Sequence, residues 1–169
     1  DFGSAFHRRA ENRLLAAMGA PRLPPVALPD LFETARLDAI WNGYEVRWGD
    51  DAQWRVLGAE THFEYALAGH LVSGYLDGLV QDLDDGRVYA LEHKTTGSDT
   101  SGGAAYWDRL ALDVQVSIYI DAVTSMGLDC AGVIYDVVSR PRHERKAATP
   151  VEDRTFTKGK GCKVCGGKA

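Results

Sequence analysis

The chain reads as an α/β protein in which a small mixed β-sheet is flanked by α-helices, and three features of its 169 residues point that way. Two stretches near the N-terminus repeat apolar residues at helical spacing. Gly74–Thr96 holds two apolar runs, rich in Val, Tyr and Leu, joined by Asp84-Asp85-Gly86, which is the chemistry of a β-hairpin turn. A longer helical pattern then precedes Cys130–Ser139, a nearly continuous run of β-branched residues that reads as a buried strand, parallel to a neighbour across that helix. The expected order is two helices, a strand, a hairpin, a helix and a strand. The length suits one domain with a short appendage, a core over residues 1–140 and a basic extension over 141–169.

Each element has its own signals. Ser4–Met18 is expected to be helical, with Ser4 as N-cap, Phe6, Ala10, Leu14, Ala17 and Met18 along one stripe, and Gly19 as the stop. Four prolines between Pro21 and Pro29 make an extended connector. Asp30 caps a second helix, Leu31–Asn42, with Leu31, Ala35, Ile40 and Trp41 toward the core and Gly43 as its end. Trp54–Ala68 reads as a strand bent near Gly58, and Leu71–Leu83 and Arg87–Thr95 as the hairpin strands. Trp41, Trp48 and Trp54 are expected to pack rather than to stack on bases. The loop Gly97–Ala105 leads into a single long helix, Tyr106–Met126, with Trp107, Leu110, Val114, Ile118 and Val123 as its core stripe.

The net charge of −5 hides an asymmetry. Residues 140–169 hold nine Lys and Arg against three acids, a surplus of six positive charges, so the body before them carries a surplus of eleven negative ones. An acidic body suits a metal-dependent site, and a basic end can hold phosphates. No run of about 18 apolar residues suggests a membrane span. No signal peptide is visible, and both ends are expected to continue in a longer chain. Three cysteines make no disulfide framework, and a reducing, cytoplasmic setting is expected. Cys130 reads as a packed thiol. Cys162 and Cys165 form half of a zinc-ribbon-like site, which would need two ligands from beyond Ala169 to hold a structural zinc ion.

The hairpin concentrates the chemistry. Asp77 lies on its first strand; Glu92 and Lys94 lie on its second. A turn centred on Asp84-Asp85 opposes Asp77 to Glu92, and one centred on Asp85-Gly86 opposes it to Lys94. Either register is expected to put all three side chains on one face, since side chains alternate along a strand. Two carboxylates that close repel each other, and a divalent cation removes the penalty. Oxygen ligands suit Mg²⁺ or Mn²⁺, with Lys94 beside the ion as a fixed positive charge.

Asp77, fourteen intervening residues, then Glu92-His93-Lys94 resembles the D…(D/E)-x-K signature of the PD-(D/E)XK nuclease superfamily. Gly74-Tyr75-Leu76-Asp77-Gly78 is similar to the G-x-x-D form of its RecB-type branch. Gly3-Ser4-Ala5-Phe6-His7 resembles that branch's N-terminal G-x-x-x-H, and Gln115-Val116-Ser117-Ile118-Tyr119 its Q-x-x-x-Y. The resemblance covers roughly residues 3–140 and is closest to phage-encoded or prophage-encoded single-domain members. It implies a restriction-endonuclease-like core and metal-assisted hydrolysis of DNA. By that resemblance His7, Asp77, Glu92 and the backbone carbonyl of His93 hold Mg²⁺ or Mn²⁺, and Glu60 is a further acidic candidate. Asp77, Glu92 and Lys94 are catalytic, with Lys94 orienting water or countering developing negative charge. Gln115 and Tyr119 contact nucleic acid. The four-cysteine set of the branch's Fe–S members is missing from the sequence, so no Fe–S cluster is expected. An exonuclease in a bacterial or phage-infected cell, working on DNA with a helicase or recombination partner, is the leading expectation. An endonuclease of the same fold and a non-catalytic nucleic-acid-binding module are the alternatives.

Overall fold

A computed structural model describes residues 1–49 and 52–141. Its elements run α1 (Phe2–Ala17), α2 (Leu31–Trp48), β1 (Trp54–Leu67), β2 (His70–Asp82), β3 (Val88–Thr96), α3 (Ala105–Ala111), α4 (Val114–Ser125) and β4 (Cys130–Ser139). The four strands form one mixed sheet in the order β1-β2-β3-β4. The β1–β2 and β2–β3 pairs are antiparallel, and β3–β4 is parallel. The expected α/β architecture is therefore present. The basic extension from residue 142 onward, with Cys162 and Cys165, lies outside the described residues. Among those described, no helix is long and apolar enough to cross a membrane.

One core lies between the sheet and α4. Phe63, Leu76, Leu79, Val88 and Ala90 of the strands meet Tyr119, Ala122 and Val123 of the helix. A second core joins Phe2, Ala5, Phe6 and Ala10 of α1 to Leu37 and Tyr44 of α2, with Val138 of β4 packed against them. These α1 residues recur every three or four positions, so one stripe is buried.

Several boundaries differ from the sequence expectation. α1 starts about a turn earlier, because the Asp1 side chain, not Ser4, accepts the first free N–H, that of Ser4, at 2.9 Å. Asp30 caps α2 as expected, accepting from Glu33 N at 2.9 Å. The helix runs through Gly43 to Trp48, because burying Tyr44 outweighs the roughly 1 kcal/mol that glycine costs a helix. Its buried face is rotated from the expected one. Leu31 is 86% exposed and Ala35 is exposed, while Leu37, Ile40, Trp41 and Tyr44 pack inward. Trp41 stacks on Tyr44 at 5.1 Å, in keeping with a packing role. The proline connector has no regular structure and is tied to α1 by Asn12, which bonds both the N–H and the carbonyl of Leu23.

The expected long helix is two. Asp113 interrupts it and caps α4, accepting from Gln115 N at 3.0 Å. A short acidic side chain offers the backbone this alternative to continuing a helix. Trp107 and Val114, expected in the core, are exposed as a result. β4 is parallel to β3 as expected but only half buried, since it forms an edge of the sheet.

β1 and β2 are joined by two residues, Ala68 (φ +49°) and Gly69 (φ +81°), both left-handed as the tightest hairpin turn requires. The bend near Gly58 appears as a register shift between Val56 and Gly58.

Candidate active site

The β2–β3 hairpin pairs Gly78 with Leu91 and Gln81 with Val88, the register of a turn centred on Asp84-Asp85. Asp side chains build that turn: Asp82 accepts from Asp84 N and Asp85 from Arg87 N, each at 2.9 Å. The ladder ends at Gly78–Leu91, so Asp77 and Glu92 stand opposite each other one step past the last backbone pair. In place of a ladder bond, the Asp77 carboxylate accepts the N–H of His93 at 2.7 Å.

The three charges do not share one face of the sheet. Leu76 is buried in the core against α4, whereas a Cβ placed on Gly78 would meet Leu14 of α1. Residues two apart thus point to opposite sides, and the alternation breaks at Asp77. The cause lies next door. Glu60 of β1 has φ +45° and, like Asp77, is skipped by the β1–β2 pairing. Pairing resumes in the same register on either side, Ala59 with Gly78 and Thr61 with Leu76, so this is a local distortion without an inserted residue, and the left-handed backbone re-aims the side chains there. Asp77 accordingly turns to α1, with His7 Nδ1 at 3.7 Å and His93 Nδ1 at 3.8 Å. Glu92 and Lys94 turn to α4.

Glu92 is only 7% exposed and is fully engaged. Tyr119 O–H lies 2.9 Å from Oε2, and Gln115 Nε2 and Lys94 Nζ each lie 3.2 Å from Oε1. Lys94 also donates to Gln115 Oε1 at 2.9 Å. Tyr119 accepts from Gln115 Nε2 at 2.6 Å and reaches the Tyr75 carbonyl at 3.2 Å. Gln115 and Tyr119, one turn apart on α4, thus clasp the Glu92–Lys94 pair and the strand that carries Asp77. Burial, followed by the negative charge of Glu92, pushes the Tyr119 hydroxyl well above its ordinary range, so it stays protonated as a donor.

Burial works against the charge of Asp77, but the His93 ring and N–H, then His7, outweigh it and hold the carboxyl below its usual range. Glu60 shifts the other way: burial raises it first, then the charges of Asp77 and Glu11, with Glu92 adding to them. The acids of β1, β2, β3 and α1 therefore act on one another. An opening of about 570 Å³, lined by Gly3, Ser4, His7, Arg8, Glu11, Val26 and Glu60, leads to this region, and His7 stands between it and Asp77. This donor set, oxygen-rich with one imidazole, fits a hard divalent cation such as Mg²⁺ or Mn²⁺ in type. Among the described residues no three His, Cys, Asp or Glu side chains are gathered as a ready-made cage.

The structure thus brings together His7, Glu60, Asp77, Glu92, His93, Lys94, Gln115 and Tyr119. Sequence reasoning missed four neighbours. Asp136 and Tyr44 flank the buried His93 ring at 3.7 and 3.5 Å, and the Tyr44 hydroxyl donates to Asp136 at 2.6 Å. Asp113 and Tyr135 stand beside Lys94. The available signal was a Tyr-Asp pair interrupting the apolar run of β4, and an aspartate in the middle of a helical pattern.

No family model matches the chain, and no curated protein matches it. A solved structure described as that of SSO0001 is similar over 80% of this chain and 59% of that one, at 16% identity and a TM-score of 0.33. The chain thus spans less than two thirds of that protein's length, and a likeness this low bears on neither fold nor function.

Proposed function

We propose that the chain is a Mg²⁺- or Mn²⁺-dependent deoxyribonuclease of the PD-(D/E)XK type, acting as an exonuclease on DNA. The observation that carries this reading is the open end of the β2–β3 fork, where Asp77, turned to α1, stands opposite Glu92, turned to α4 and bonded to Lys94, Gln115 and Tyr119. Asp77 and Glu92 would hold the ion, with His7, Glu60 and the His93 carbonyl as further candidates. A bound ion of this class supplies an activated water and polarises the phosphate.

The chain's own residues supply the rest. Lys94 presents a fixed positive charge beside the acids, suited to orienting water or countering negative charge that develops in the transition state. Tyr119 and Gln115 fix Glu92 so that its carboxylate does not have to be ordered during reaction. The acidic interior would repel phosphates on its own. DNA binding is therefore assigned to the ion and to the basic extension from residue 141, whose structure lies outside the described residues apart from Pro141. A helicase or recombination partner would fit the same role.

The test is cleavage of matched linear and circular DNA across a titration of Mg²⁺ and Mn²⁺. Cutting of linear DNA alone supports the exonuclease. Cutting of both indicates an endonuclease built on the same site. Binding without cutting in either metal would overturn the enzymatic reading in favour of a nucleic-acid-binding module.

A further inference from the structure

Lys94 has a second set of neighbours beyond Glu92 and Gln115. Its ammonium lies 3.8 Å from Asp113 Oδ2 and 5.0 Å from the centroid of the Tyr135 ring, over its face. Tyr135 donates its O–H to the same Asp113 Oδ2 at 3.1 Å. Asp113 divides its carboxylate: Oδ1 caps α4 by accepting from Gln115 N, while Oδ2 faces Tyr135 and Lys94. Tyr135 is held by the sheet, as the β4 residue paired with Glu92 of β3. The start of a helix and the edge strand thus close around the end of one flexible side chain.

We propose that Asp113 and Tyr135 form a seat that fixes the Lys94 ammonium in the candidate active site independently of Glu92. The proposal rests on the reading of Lys94 as a catalytic residue; Asp113 and Tyr135 are positioning residues that act through it. The physical need is specific. A lysine has four rotatable bonds and loses up to about 2 kcal/mol of rotamer freedom when fixed. If Glu92 serves a cation, Lys94 must be aimed by something else. Asp113 supplies a counter-charge and Tyr135 a ring face that attracts a cation. The interruption of the expected long helix at Asp113 then has a functional consequence: the N-cap there brings a second carboxylate, besides that of Glu92, to Lys94.

Asp113→Ser separates the two duties of the side chain. Serine caps a helix about as well as aspartate but brings no carboxylate to Lys94. The expected result is an unchanged melting temperature and KM for DNA, with kcat reduced by about 10-fold to 100-fold, the scale of a misplaced catalytic group. A second readout needs neither metal nor DNA. Lys94 is the only lysine before residue 146, so its acetylation by a limiting acylating reagent can be followed by peptide mass spectrometry, with the lysines of the extension as internal controls. Lys94 is expected to react severalfold faster in Asp113→Ser and in Tyr135→Leu, while the control lysines keep their rates. Tyr135→Phe, which keeps the ring, should fall between wild type and Tyr135→Leu. Should the serine variant fold poorly, Asp113→Asn keeps the shape and the cap and gives the same readout. A wild-type acetylation rate at Lys94 in these variants would overturn the seat, whether or not the protein cuts DNA. Absence of cleavage by the wild-type protein would instead strike the nuclease reading and leave the acetylation result to judge the seat.

Discussion

The Asp77 carboxylate receives the backbone N–H of His93 at 2.7 Å, one step beyond the last β2–β3 pair. The side chain closes the fork between two strands and carries the charge that faces His7. Asp77→Asn keeps an oxygen for that N–H and removes the charge. It is expected to fold as wild type and to lose cleavage by about 100-fold or more. Asp77→Ala leaves the N–H unsatisfied in a partly buried place, at a cost of about 1–3 kcal/mol. Urea denaturation of both variants checks this, and an alanine variant as stable as the asparagine one would contradict it.

Glu92→Gln keeps an oxygen for Lys94 and Gln115 in place of Oε1 and puts an NH2 in place of Oε2, which donates to the Tyr119 hydroxyl while that hydroxyl donates to the Tyr75 carbonyl, so the clasp is expected to survive. The negative charge is lost, and with it metal-dependent cleavage, by about 100-fold or more. Single-turnover cleavage of labelled DNA in Mg²⁺ is the measurement. Retention of more than about a tenth of the wild-type rate would remove Glu92 from the ligand set.

His7→Ala tests the imidazole beside Asp77. The expected outcome is weaker metal binding, with the rate partly recovered at higher metal concentration, and better in Mn²⁺ than in Mg²⁺ because imidazole favours the softer ion. Activity is measured against metal concentration for both ions. Superimposable curves for variant and wild type would return His7 to a structural role.

Gly74→Ala probes the first glycine of the motif around Asp77. Gly74 pairs with Phe63 across β1–β2, and an added Cβ would lie 2.7 Å from Phe63 Cζ. That ring is 4% exposed and packs edge-on against Tyr119, so it has little freedom to yield. The expected loss is about 1–3 kcal/mol, as for other overpacked cores, with part of it regained when Phe63→Leu is added. Denaturant midpoints of the single and double variants decide the matter; a neutral Gly74→Ala would refute the packing explanation.

What was legible in the sequence is what short-range chemistry decides. Asp84-Asp85-Gly86 announced the hairpin and narrowed its register to two, of which the structure has the one centred on Asp84-Asp85; Asp30 announced its helix, and Gln115 and Tyr119 reached one site because one helical turn separates them. The expectation of a single face failed at Asp77, because strand alternation holds only where the ladder is regular, and the irregularity originates in a neighbouring strand at Glu60. Leu31 was assigned inward by spacing alone, yet the rotation of α2 is set by where Tyr44 meets α1 and Asp136. Asp136 and Tyr135 belong to a strand that joins β3 only after a long crossover, so nothing near them in sequence ties them to His93 or Lys94.

The left-handed backbone of Glu60 sets two demands against each other. A non-glycine residue there carries about 1–3 kcal/mol of strain, and its carboxyl is further disfavoured by burial and by Asp77, Glu11 and Glu92. Glu60→Gly should therefore raise the denaturation midpoint, and an unchanged or lower midpoint would show that the left-handed backbone is held without strain. At this one position a more robust protein and a more acidic fork cannot be had together. Variants chosen only for thermal tolerance would be expected to drift toward glycine or asparagine here, losing a carboxylate from beside Asp77 as they did so.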